Sequence, residues 1–184
     1  LGLYVWRSRR PHMAILSRHG DDTLRDAEAH ILPVCEHISI LRFDGPLYFA
    51  NAGYFEDKVL ERLAVKPGLK FLLVDAEGIN EVDATGEEML YELINRLDKM
   101  GIELVFARAK APIVKMFNRM HLTELLGSKS HFRTRTKALT YCWQNILDNN
   151  TCSKDCPGEC PLNFKNNPVV IKKHAAGISS GDYA

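Results

Sequence analysis

Three short apolar runs punctuate the middle of the chain: Ile38-Ser-Ile-Leu-Arg-Phe43, Lys70-Phe-Leu-Leu-Val74 and Ile102-Glu-Leu-Val-Phe-Ala107. Each has strand length and is built largely from Val, Ile, Leu and Phe, so each predicts a strand, and Met13–Leu16 predicts an earlier one. A helical pattern follows each main run. After the first, Asn51 is a candidate N-cap, and Ala52, Phe55, Val59 and Leu63 recur at spacings that share one helix face. The second helix, about Thr85 to Met100, places Met89, Leu90, Leu93, Ile94, Leu97 and Met100 on its face, with Gly101 as the stop. A third begins at Pro112, suited to a first helical position, and carries Ile113, Met116, Phe117 and Met120. The fourth, about Thr136 to Leu147, carries Ala138, Leu139, Cys142, Trp143 and Ile146. Strand and helix in alternation imply an α/β fold, a small mixed or largely parallel sheet with helices packed on it. Functional loops in such sheets lie beyond the carboxyl ends of the strands, which points to Asp44–Asn51, Asp75–Gly86 and Ala107–Ala111.

The pattern breaks at both ends, dividing the chain into residues 1–10, a domain over 11–148 and a tail over 149–184. Leu1 to Trp6 are apolar or aromatic apart from Gly2, and Arg7, Arg9 and Arg10 follow. A membrane helix leaving the bilayer on its cytoplasmic side has this composition; so has an apolar first strand beside a solvated basic patch. The charge follows the apolar stretch, which excludes a signal peptide. No run of about 20 apolar residues occurs, so these 184 residues contain no complete helical span. From Asn149 onward Pro and Gly interrupt every periodicity, predicting an irregular exposed extension. With 24 Lys and Arg against 23 Asp and Glu, the chain lacks the charge of a dedicated nucleic-acid binder.

The loop from Asp75 to Glu88 leaves one strand and opens a helix. Asp83 or Thr85 can cap the helix amides, and Thr85 with Glu88 has the spacing of a capping box. The Thr85 hydroxyl is also a candidate phosphorylation site, because a phosphate there would meet free N–H groups and the positive end of the helix dipole. Asp83, Glu87 and Glu88 oppose such an added charge. Capping and modification both stay open on this chemistry.

The run Leu-Leu-Val-Asp75, a short loop, then Val-Asp83-Ala84-Thr85-Gly86 before an apolar-faced helix resembles the STAS domain, named for sulfate transporters and anti-sigma factor antagonists. Leu41 through Asp44-Gly45-Pro46-Leu47-Tyr48-Phe49-Ala50-Asn51-Ala52 is similar to the strand, turn and helix start of STAS domains attached to SulP-type anion transporters. Arg9-Arg10-Pro11-His12 with Ile15-Leu16 resembles the segment that joins the last transmembrane helix of those transporters to the domain. The resemblance covers roughly residues 7 to 147. It implies a cytoplasmic regulatory and assembly module of a secondary anion transporter, carrying sulfate or a related anion at the cytoplasmic face of the cell membrane. The implied partners are the transmembrane domain of the same transporter, a second copy in a homodimer, and cytoplasmic regulatory proteins. The membrane would be reached through the N-terminal part, and no nucleic acid is involved. In the antagonist branch the hydroxyl directly before Gly is phosphorylated by a partner kinase. Thr85 occupies that position and Ala84 replaces the other hydroxyl, so a free-standing switch phosphorylated at Thr85 is the alternative reading. Asp75, Asp83, Gly86 and Glu88 are then loop and helix-cap candidates, and Asp44, Tyr48 and Asn51 interaction-surface candidates.

The remaining chemistry is sparse. Cys142 falls on an apolar helix face and reads as core, while Cys35 stands alone before a strand. Cys152, Cys156 and Cys160 could converge on a metal ion, with Cys142 or His174 as a fourth ligand, but their spacing fits no standard zinc or iron–sulfur template. Reduced thiols and no cofactor are the plainer expectation. The seven histidines form no helical i, i+4 pair, and no phosphate-binding glycine loop or nucleophile elbow occurs. No nucleophile–base constellation is present, and a non-enzymatic role is expected.

Overall fold

The computed structural model describes residues 9–126, 131–148 and Leu162. In chain order the elements are β1 (His12–Arg18), β2 (Leu24–Asp26), β3 (Ile38–Asp44), α1 (Ala52–Val65), β4 (Phe71–Asp75), a 3-10 turn (Ala76–Gly78), α2 (Ala84–Lys99), β5 (Glu103–Ala107), α3 (Ala111–Arg119), α4 (Leu122–Leu125), β6 (His131–Phe132) and α5 (Arg135–Asp148). The strands lie in the order β2-β1-β3-β4-β5-β6. Those from β3 to β6 are parallel, and β1 runs antiparallel to both of its neighbours. The sheet is therefore mixed with a parallel core, as the alternation of runs predicts.

Parallel strands force each connection to cross a face, and the helices that make the crossings bury that face. Leu41 and Phe43 of β3, Leu72 and Val74 of β4, and Leu104 and Phe106 of β5 form one core with α1, α2 and α3. The alternating residues, Ile38, Ile40, Phe71, Leu73, Val105 and Ala107, form a second core with Ala138, Leu139, Cys142 and Ile146 of α5. Burial on both faces explains why these strands read as unbroken apolar runs. Cys142 lies in this second core, where burial pushes its thiol pKa well up and leaves it an inert apolar filler.

The structure departs from expectation at Met100, at Leu162 and in three short elements, β2, α4 and β6. Met100 is 54% exposed, because α2 ends at Lys99 and Met100 is already its C-cap. Gly101 completes the stop with a φ of 69°. Strands β2 and β6 are too short to leave a periodic signal. Leu162 is buried against the second core, so the predicted exposed extension returns to the domain at that residue. The predicted membrane-helix end over Leu1–Trp6, with Arg7, and the cysteines Cys152, Cys156 and Cys160 with His174 lie outside the described residues.

Leu97 is fully buried in the first core, whereas Met100, three residues on, faces solvent. Leu97→Ala is expected to lower unfolding stability by about 2–5 kcal/mol, and Met100→Ala to stay within about 0.5 kcal/mol of the parent. Urea denaturation of both variants checks the pair.

Candidate functional site

Two loops meet beyond the carboxyl ends of β3 and β4. The Leu47 N–H donates to the Glu81 carbonyl at 2.8 Å, and the Asp83 N–H donates to the Leu47 carbonyl at 3.0 Å, forming a short parallel bridge between Leu47 and Val82. Leu47 is fully buried beneath it. A Cβ on Gly86 would fall 2.6 Å from the Leu47 carbonyl oxygen and 2.9 Å from Val82 Cγ1, so only glycine lets the start of α2 come this close.

Asp83 joins the two loops through a single carboxylate. Its Oδ1 accepts from the Gly86 N–H at 2.8 Å and caps α2; its Oδ2 accepts from the Phe49 N–H at 3.0 Å. This cap belongs to Asp83 at the N-cap, which places Thr85 second in the helix and Glu88 beyond the capping position. The capping box expected of Thr85 and Glu88 does not form. Asn51 is also reassigned. It is 1% exposed and makes no side-chain bond to the amides of α1. Instead its Oδ1 accepts from the Tyr48 N–H at 3.0 Å, and its Nδ2 donates to the Pro46 carbonyl at 2.9 Å. Asn51 thus holds the turn from within and is not part of an interaction surface. Held from both sides, the turn presents Phe49 at 74% exposure, with half-buried Tyr48 packed edge-on at 5.5 Å. Thr85 and Glu88 are exposed, Gly86 is buried, and Glu87 pairs with Arg119 of α3.

Asp75 is separated from these residues in chemistry. It is fully buried at the end of β4, where its Oδ1 accepts from the Glu77 N–H at 3.4 Å and Arg135 Nε of α5 lies 3.0 Å from its Oδ2. That ion-pair contact falls short of hydrogen-bond geometry, leaving Oδ2 without a donor among the described residues. Burial raises the Asp75 pKa above its ordinary value, against the pull of Arg135, Arg108 and Arg42. Around it Glu77 pairs with Arg108 and, at 3.7 Å, with Arg135, while Asp44 pairs with Arg42 at 2.8 Å and with His12 at 3.2 Å. The 3-10 turn sits against β3 so closely that a Cβ on Gly78 would lie 2.4 Å from the Phe43 carbonyl oxygen. Sequence reasoning missed Arg42, Glu77, Arg108, Arg135 and Phe49. Only the topology brings Arg135 to a carboxylate sixty positions earlier, and a φ of 61° at Arg108 has no glycine to mark it. Among the described residues no group of three or more His, Cys, Asp and Glu side chains could hold a metal ion, and no helix is long and apolar enough to cross a membrane.

Comparison with known proteins agrees with this architecture. The STAS domain family model matches residues 30–138, more than half of the chain, and the chain belongs to that family. Its curated relatives are sulfate transporters: it is 26% identical over 153 residues to sulfate transporter 1.3 of Arabidopsis thaliana, covering 76% of this chain and 23% of that protein. It is 28% identical over 149 residues to the probable sulfate transporter 3.5 of the same plant, covering 78% and 23%. The chain spans less than a quarter of these relatives' length. Among solved structures, the murine anion transporter Slc26a9 superposes with a TM-score of 0.70 at 19% identity, covering 78% of this chain and 24% of that one. A sulfate transporter family protein from Wolinella succinogenes gives 0.54 at 22% identity, covering 67% and 99%. The fold extends to a Thermotoga maritima protein described as an anti-sigma factor antagonist, with 0.51 at 14% identity, covering 64% and 98%.

Two predictions follow from the carboxylates. Asp83→Ala removes the cap and the tie to Phe49 together, and an unfolding free energy lower by about 1–2 kcal/mol is expected in chemical denaturation. For Asp75, a folded pKa above the ordinary 3.8 means that the folded state binds the proton more readily than the unfolded state. The carboxyl's contribution is most favourable below pH 3.8 and declines as pH rises through the raised folded value. The melting temperature of Asp75→Asn relative to wild type is therefore expected to rise between pH 3.5 and 7, as about one carboxyl's titration requires. A flat or falling difference would contradict it.

Proposed function

We propose that this chain is the cytoplasmic regulatory and assembly module of a SulP-type secondary anion transporter, with sulfate or a related anion as cargo of the membrane part. Its action is non-enzymatic: the paired loops supply contacts, and the relatives it matches are transporters. The observation that carries this reading is where the chain arrives. Because β1 runs antiparallel to β3, with His12 opposite Asp44, the first described residues lie at the carboxyl end of β3. The site a Cβ on Gly45 would occupy is 3.0 Å from Pro11 Cβ, so Pro11 lies beside the base of the Phe49 loop. A transmembrane helix ending in residues 1–10 would hand the domain to the membrane by the end that carries both loops. Contacts with that transmembrane part, and between two copies in a dimer, would then bear on the start of α2.

Within this reading Thr85 is the control point, since its exposed hydroxyl stands one residue inside the helix that Asp83 caps. The same exposure supports the alternative, a free-standing switch whose phosphorylation at Thr85 breaks binding to a kinase. The two readings divide on the gene. A reading frame that continues upstream of Leu1 into hydrophobic spans supports the transporter, and a start codon there overturns it. In the full-length protein Thr85→Glu is expected to change radiolabelled sulfate uptake by about threefold or more, at unchanged membrane abundance. Unchanged uptake would remove Thr85 from control.

A further inference from the structure

We propose that the Pro46–Ala50 turn is a bilayer-contacting element: Phe49 inserts into the headgroup layer of an anionic membrane while Arg9 and Arg10 beside it meet lipid phosphates. The inference rests on the transporter reading for the proximity of a membrane and goes beyond it in naming the lipid surface as the partner of this turn.

Phe49 is 74% exposed although it sits in a well-anchored turn. Its backbone is tied to Asp83 Oδ2, and the turn is closed internally by Asn51, so the ring is displayed by the fold and not by a loose segment. One of these bonds holds Phe49 itself and the other two close the turn through Asn51, so the exposure of the ring is set by the fold. Its surroundings favour a bilayer over a protein. Pro46 is exposed, and a Cβ on Gly53 in the first turn of α1 would meet nothing within 4 Å, so the turn and the helix start that follows it are both open. Protein hot spots sit in packed pockets ringed by other contacts, whereas a lipid interface requires only a protruding ring and nearby cations. The cations are Arg9 and Arg10, both exposed and one or two residues before Pro11, which touches the base of the same turn. Aromatic and basic residues in this arrangement are those that favour the interfacial layer. Glu81 and Glu88, also exposed at this end, oppose an anionic surface. Asp83, bonded to the Phe49 N–H, lies on the same side, so the two arginines and the ring act against these carboxylates.

Each basic residue near an anionic surface is worth about fivefold in binding, and partial burial of one Phe ring about tenfold. The test is sedimentation of the 184-residue chain with vesicles of phosphatidylcholine containing about one-third phosphatidylserine, with thermal melts confirming that each variant folds. Phe49→Ala is expected to lower vesicle binding about tenfold, and Arg9→Ala with Arg10→Ala to lower it at least as much, with the loss shrinking at high salt. Val65→Ala is the control. Val65 is 69% exposed at the far end of α1, and its truncation is expected to leave binding unchanged. Wild-type binding by Phe49→Ala would overturn the proposal, as would an equal loss from Val65→Ala. Trp6→Ala is measured in parallel. A loss there with none at Phe49 would overturn the lipid contact of the turn while leaving the transporter reading intact.

Discussion

The parallel pairing of β3, β4 and β5 is the constraint from which the rest follows. Three strands running in one direction must each be left at the same end, so the connections after β3, β4 and β5 all begin there. The register aligns Arg42 with Asp75 and Asp75 with Ala107, so β4 and β5 end level and β3 runs two residues further, to Asp44. Two consequences are visible in the side chains. Polar groups that cannot enter the apolar layers collect at the ends of these ladders, and the loops that follow lie near enough to bond to one another through Leu47 and Val82. The antiparallel β1 then brings the start of the described chain to this crowded end.

The polar groups divide into two systems with different physics. In the Asp75 system a fully buried carboxyl is surrounded by Arg42, Arg108 and Arg135, and the desolvation of its charge outweighs their attraction. Such a group contributes little to stability at neutral pH, but it limits which arrangements of β4, the 3-10 turn and α5 are acceptable. Arg135 on the first turn of α5 reaches across to it, which ties the helix covering the second face to the loop end of the first. In the Asp83 system the carboxylate is half-buried and bonded to two backbone amides, so its charge is used in place and not merely compensated.

How much of this was legible in the sequence depends on the range of the interaction. Apolar periodicity located β1, β3, β4, β5, α1, α2, α3 and α5 to within a residue or two, because helix faces and strand faces are written in local spacing. The Asp83–Gly86 cap was legible for the same reason, three residues being the reach of a capping side chain. Thr85 and Glu88 satisfied an equally local rule, yet the helix starts two residues earlier than that rule required, with Asp83 and not Thr85 at the N-cap, and such a shift undoes a capping box. Asn51 has the composition of an N-cap and spends its side chain on the preceding turn, a choice between neighbouring amides that spacing alone does not decide. The Asp75–Arg135 and Arg108–Glu77 pairs were not legible, since they depend on strand order and on which helix covers which face. Phe49 looked like one more apolar residue before a helix; only burial on the folded surface distinguishes it from its neighbours Leu47 and Phe55.

The division of labour on Asp83 suggests how the paired loops act as one unit. A capping interaction of this kind contributes about 0.5–2 kcal/mol, and couplings between regulatory sites in proteins commonly amount to about 1–3 kcal/mol. The two ranges overlap, so the cap is of the same size as such couplings. One oxygen serves each side, and a charge introduced at Thr85 would act on a carboxylate that cannot strengthen one bond without reorienting the other. The Leu47 bridge resists that motion, and Gly86 leaves no slack beneath it. A change that moves Asp83 thus bears on two bonds at once, the one to Gly86 at the start of α2 and the one to Phe49 in the turn.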